Sequence, residues 1–242
     1  MSEPRRLDNR VALVTGATRG IGRAVAIALA REGCHLVLTG RTQGALEEVD
    51  DEVRGVGGAA TLITLNLQHA DKIDALGPVL FQRWGRLDIL VGNAGILGPI
   101  SPLGHVTADA WAEIMEINVS ANWRLIRTLD PLLRRSDAGR AIFVTSGAAA
   151  AKNAYWGPYA VSKAALEALV KTYAREVETS AVRVNLINPG PIRTAMRAKA
   201  FPGEDAAGLA APADIAPRFV ELALASETHN GATFDFATRS WR

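Results

Sequence analysis

The sequence predicts an α/β fold: a single domain over residues 1–242, built on one doubly wound parallel sheet with helices on both faces. Three observations carry this. Strand-length runs that are apolar throughout alternate with segments whose apolar residues recur at helical spacing. Such runs belong to strands covered on both faces, which is the habit of parallel sheets. The first two strand–helix–strand units also have crossover length, and the first strand leads straight into a glycine cluster that opens a helix.

In chain order the strand candidates are RVALVT (10–15), HLVLT (35–39), ATLITL (60–65), LDILVG (87–92), RAIFVTS (140–146), VRVNLIN (182–188) and GATFDF (231–236). Helical segments are expected over 20–33, 42–55, 70–85, 107–135 and 157–180, with Thr107 a candidate N-cap. Residues 1–9 form a charged N-terminal extension. The stretch 198–214 is rich in Ala, Gly and Pro, and is expected to be a mobile loop near the substrate site, although a plain surface connection fits it as well.

Composition narrows the function classes. The formal net charge is +2 and no long block of Lys or Arg occurs, so neither a nucleic-acid partner nor an anionic membrane is expected. The start of the chain has no apolar core after its charges, as a secretory signal would, and the densest apolar stretch, AVAIALA, is too short to span a bilayer. Cys34 is the only cysteine, which rules out an internal disulfide and fits a reducing, cytoplasmic setting. His35, His69, His105 and His229 share no ligand spacing, so no metal is expected.

The glycine cluster TGATRGIG places glycines at 16, 20 and 22 between a strand and a helix. Gly16 permits the tight turn, Gly20 lets a pyrophosphate approach backbone N–H groups at the helix N-terminus, and Gly22 allows close helix–strand packing. Thr18, Arg19 and Ile21 complete the turn, and dinucleotide binding is expected there. Five further motifs follow in order: NAG at Asn93–Ala94–Gly95, Asn118 in EINVSA, Ser146 in VTSG, Tyr159 and Lys163 in YAVSK, and NPGPIRT over 188–194. Together with the spacing G-x-x-x-G-x-G, they resemble the short-chain dehydrogenase/reductase family from Val11 to about Phe236. NAGILG, LLRRSDAG and APADI are similar to a bacterial subgroup of that family. The resemblance implies a Rossmann fold with seven parallel strands in the order 3-2-1-4-5-6-7.

The end of the second strand distinguishes the two nicotinamide cofactors. A carboxylate there binds the free ribose 2′-hydroxyl of NAD. This chain has Arg41 instead, and Arg19 in the glycine turn adds a second guanidinium suited to a 2′-phosphate, so NADP(H) is expected. After the third strand the family usually has an Asp facing the adenine. Asn66 stands here, keeping an acceptor oxygen but no charge, and Leu67 offers its backbone N–H.

Tyr159 and Lys163 lie at i and i+4, on one helix face, where an ammonium can lower a phenol pKa. On spacing alone the pair also fits an amphipathic surface. The resemblance implies that Tyr159 is the acid protonating a carbonyl oxygen during hydride transfer. It further implies that Lys163 lowers the Tyr159 pKa and holds the nicotinamide ribose, that Ser146 hydrogen-bonds the carbonyl oxygen, and that Asn118 anchors a water leading to solvent. Pro189, Gly190, Ile192 and Thr194 would bracket the nicotinamide.

Ile96, Leu97, Ala148, Ala149, Trp156, Pro191 and Met196 are expected around the carbonyl, with Tyr155 lining the pocket or packing nearby. That lining suits an uncharged ketone or aldehyde. Reduction of such a carbonyl to an alcohol is the expected reaction, with a 3-oxoacyl-carrier-protein reductase as the alternative, for which Arg193, Arg197 and Lys199 would supply cations. A non-catalytic NADP-binding regulator is the alternative of another class. The resemblance also implies a homodimer or homotetramer formed through the helices that contain Asn118 and Tyr159.

Overall fold

The computed structural model describes residues 5–151 and 153–242. Residues 1–4 of the expected N-terminal extension, and Lys152, lie outside the described residues. Residues 5–9 do not stand apart from the domain. Leu7 is buried and its N–H donates to the Glu32 carbonyl at 2.9 Å, while Arg6 pairs with the Glu32 carboxylate.

Alternation of strands and helices gives β1 (Val11–Thr15), α1 (Gly20–Arg31), β2 (His35–Gly40), α2 (Gln43–Gly55) and β3 (Ala59–Thr64). Two short helices, α3 (Ala70–Asp74) and α4 (Leu76–Trp84), lead to β4 (Ile89–Gly92). The stretch before β5 (Arg140–Val144) contains α5 (Ala108–Met115) and α6 (Ala121–Leu133), joined by one π-helical turn over Glu116–Ser120. Thr107 caps α5 as expected, its side chain accepting from the Ala110 N–H. After β5 come α7 (Ala148–Ala151), α8 (Gly157–Glu176), β6 (Arg183–Asn188), α9 (Ala195–Ala200), α10 (Pro212–Ala223), β7 (Thr233–Asp235) and β8 (Ser240–Trp241).

The sheet order is β3-β2-β1-β4-β5-β6-β7-β8. Its first seven strands are parallel, in the predicted order, but the sheet has eight strands rather than seven. β8 pairs antiparallel with β7, Phe234 opposite Trp241. Side chains account for this extra strand: the Trp241 ring stacks on His229 at 3.9 Å and meets Phe234 edge-on at 5.4 Å.

The uniformly apolar strands feed two cores. Ala12, Val14, Leu36 and Leu38 face a layer that includes Leu29 of α1 and Phe219 of α10. Val11, Leu13 and Val37 face the opposite layer, with Leu80 of α4, Leu125 of α6 and Leu166 of α8. Because side chains alternate across a strand, both positions in each pair must be apolar. Among the described residues no helix is long and apolar enough to cross a membrane.

Candidate active site

The strand order reverses between β1 and β4, and the carboxyl ends of β1, β2, β4, β5 and β6 open there onto a cleft of about 730 Å³. Its floor is the glycine turn. Gly16 has φ +63°, a backbone conformation that L side chains rarely adopt. A Cβ on Gly22 would stand 2.3 Å from the Gly16 carbonyl oxygen and 2.5 Å from Asn93 Nδ2, so only glycine lets α1 approach this closely. The Asn93 amide donates to the carbonyls of Thr15 at 2.9 Å and Gly16 at 3.3 Å. Thr15 Oγ1 in turn accepts from the backbone N–H groups of Asn93 and Ala94. The NAG segment therefore clamps the glycine turn as well as lining the cleft.

Gly16, Thr18, Arg19, Gly20, Ile21, Asn93, Ala94 and Gly95 all line the cleft. Gly22 does not; its part is packing. No side chain caps the N-terminus of α1, leaving its first-turn N–H groups suited to an anion. Arg19 and Arg41 also line the cleft, both exposed and with no side-chain partner among the described residues. Asn66 and Leu67 line the same end. The Asn66 oxygen already accepts from the Gln68 N–H at 3.2 Å, and its Nδ2 donates to the Gln68 side chain at 3.1 Å.

Ser146, just beyond β5, meets Tyr159 and Lys163 of α8 at the other end of the cleft. Pro158, in the first turn of α8, suits that helix start. Tyr159 is 8% exposed, and burial pushes its pKa up, opposed by a hydrogen bond with Ser146. The Lys163 ammonium lies 5.8 Å from the phenol ring centroid and donates to the Val144 carbonyl at 2.8 Å. Burial also lowers the Lys163 pKa from 10.5 to about 8, with Glu167 pulling the other way.

That depression has a measurable sign. Below about pH 8 the folded and unfolded chains both hold the Lys163 proton, and the burial penalty stands in full. Above it the unfolded chain keeps a proton that the folded chain has released, so the penalty fades. The stability of the protein relative to Lys163→Met is therefore expected to rise by about 1–3 kcal/mol between about pH 7 and pH 10, read by urea unfolding. A difference that stays flat with pH would show that Lys163 ionises normally.

Asn118 is fully buried in the π turn and does not line the cleft. Its Oδ1 accepts from the Ile96 N–H at 2.9 Å, and its Nδ2 donates to the Ile96 carbonyl and to Ser162 Oγ. The Asn118 side chain thus clamps the backbone after the NAG motif. A Cβ on Gly95 would lie 3.2 Å from Asn118 Oδ1 and 3.6 Å from Lys163 Nζ, so the two side chains flank that glycine.

Of the expected substrate lining, Ile96, Leu97, Trp156 and Met196 face the cleft, whereas Ala148, Ala149 and Pro191 do not. Tyr155 is 58% exposed and lies off the cleft, with φ +71°. Pro189, Gly190, Ile192 and Thr194 line it, Thr194 also capping α9. Arg193 and Arg197 reach the cleft but Lys199 does not. Ile117, Ala200, Phe201 and Pro212 line it as well, and sequence reasoning missed them. Ala200, Phe201 and Pro212 come from the stretch 198–214, where no periodicity marks which residues turn inward.

The short chain dehydrogenase family model matches residues 10–205. An uncharacterized oxidoreductase of Escherichia coli K12, YciK, is 38% identical over 95% of this chain and 92% of its own length. A short chain dehydrogenase from Pseudomonas syringae superposes with a TM-score of 0.91 at 40% identity, over 97% of this chain and 98% of that one. Another, from Shigella flexneri 2a complexed with NADP, gives 0.92 at 38% identity, over 96% and 99%. Sequence and backbone agree over nearly the whole length, and so the chain belongs to the short chain dehydrogenase family.

Proposed function

We propose that the protein is an NADP(H)-dependent reductase that converts a ketone or aldehyde to an alcohol, with Tyr159 as the proton donor. The observation that carries the reading is one cleft lined at one end by Arg19 and Arg41 and at the other by Ser146, Tyr159 and Lys163. The glycine cradle, which a single added Cβ would fill, and two unpaired arginines suit a dinucleotide with a 2′-phosphate. The relative solved with NADP supports the same cofactor. When bound, NADPH supplies the hydride for the carbonyl carbon.

The chain's own residues manage the oxygen. Ser146 donates a hydrogen bond to the carbonyl oxygen and orients it toward the phenol. Tyr159, whose raised pKa keeps it protonated near neutrality, delivers its proton as negative charge develops there. That protonation state suits reduction rather than alcohol oxidation. With a pKa of about 8, Lys163 is about nine-tenths protonated at pH 7. Its charge favours the phenolate only as the proton leaves, which is assistance specific to the transition state. One Lys163 N–H is spent on the Val144 carbonyl and the others remain for ribose hydroxyls.

A carrier-protein substrate would call for available cations at the cleft mouth. Of the three expected cations Arg193 lines the cleft, but Arg197 is paired with Glu204 and Lys199 stands off it, which favours a free small molecule. The reading is tested by following deuterium from C4 of labelled NADPH into the products of a ketone and aldehyde panel. It predicts label on the carbinol carbon of at least one product.

A further inference from the structure

An aromatic row runs outward from the acid. The Trp156 ring meets Tyr159 edge-on at 6.0 Å, and Phe201 lies 5.5 Å beyond Trp156. The Arg197 guanidinium closes the row, its carbon 3.6 Å from the Phe201 ring centroid. A guanidinium stacked on an aromatic face beside a carbonyl site is a ready receptor for a carboxylate, because its fork can grip both oxygens. Here the fork is taken: Nε and Nη2 of Arg197 donate to the two Glu204 oxygens at 2.6 and 2.5 Å. Around the row the lining is Ile96, Leu97, Met196 and Pro212. The other arginine of this stretch, Arg193, also lines the cleft.

We propose that Glu204 sets the charge selectivity of the substrate site. By occupying Arg197 it takes up the one cation stacked on Phe201 among the described residues, so this end of the cleft takes uncharged carbonyl compounds bearing a flat apolar group and turns carboxylates away. This rests on the reading that this end of the cleft receives the substrate. A substrate carboxylate must displace an equivalent forked pair and gains little by doing so, whereas a neutral aromatic ketone lies along Trp156 and Phe201 at no such cost. Glu204 does not line the cleft itself, so it is a positioning residue acting through Arg197.

Ethyl benzoylformate and benzoylformate test this, having the same ketone and phenyl ring and differing in charge. Both are titrated calorimetrically into the protein saturated with NADP⁺. The ester is expected to bind at least about tenfold more tightly than the carboxylate, and Glu204→Ala to narrow that ratio by about tenfold through a gain on the carboxylate. Arg197→Gln in the Glu204→Ala background removes the gain, which loss of loop order alone would not do. Equal binding of the two probes, binding of neither, or an unchanged ratio in Glu204→Ala overturns the proposal. Reduction rates on the same variants separate the two readings: binding selectivity without turnover removes the reductase assignment and leaves the role of Glu204 standing.

Discussion

Tyr159→Phe is expected to lower carbonyl reduction by roughly 10²–10⁴-fold, the range a positioned general acid supplies, while NADPH still binds with nearly unchanged affinity. The substitution deletes one oxygen and keeps the ring, so the edge-on contact with Trp156 and the packing of α8 survive. What disappears is the only buried proton donor that the cleft pairs with Ser146 among the described residues. A binding defect equal to the loss of turnover would point to misfolding of the cleft, and substantial residual turnover would remove Tyr159 from its role. Steady-state rates and fluorescence titration with NADPH distinguish these outcomes.

The second large effect concerns the cofactor. The protein is expected to bind NADPH about 100-fold more tightly than NADH, and Arg19→Ala with Arg41→Ala to erase most of that gap. On that reading each arginine would present a charge-assisted hydrogen bond to the 2′-phosphate, worth about 1.5–3 kcal/mol. Both are exposed, so the lower figure applies, about tenfold each. NADH lacks the phosphate, and its affinity should change little in the double variant. Equal affinities in the unaltered protein would contradict the assignment of both arginines.

Much of the fold was legible in the sequence because the sheet is parallel. Runs such as VALV and LVL must be apolar on both faces, and the helices between them set the crossovers. The glycine turn was legible for a related reason, since backbone approach at Gly16 and Gly22 excludes side chains. β8 was not legible: two residues, Ser240 and Trp241, offer no periodicity, and Trp241 is fixed by the distant His229 and Phe234. α10 was overlooked although a signal exists, with Pro212 in its first turn and the Asp214 carboxylate accepting from the Ala211 N–H at 2.7 Å.

In the site, i,i+4 spacing brought Tyr159 and Lys163 to one helix face but carried no information about depth. Depth decides the outcome, because desolvation raises the phenol and lowers the ammonium while the Val144 carbonyl claims the lysine. The same limit applies to Asn118. Its motif placed it near the site, while its amide partners, the Ile96 backbone and Ser162, arise only from tertiary packing. The Arg197–Glu204 pair spans seven residues of a stretch without helical or strand patterning, so no local rule joins them.

The most direct measurement of the central claim is isotope transfer. The protein is incubated with NADPH deuterated at both C4 positions and a panel of uncharged aryl and alkyl ketones and aldehydes, and the products are read by mass spectrometry. One deuterium is expected on the carbinol carbon of at least one product, and its loss in Tyr159→Phe. NADPH bound tightly with no deuterium transferred to any carbonyl would contradict that claim and leave a nucleotide-binding protein without reductase chemistry.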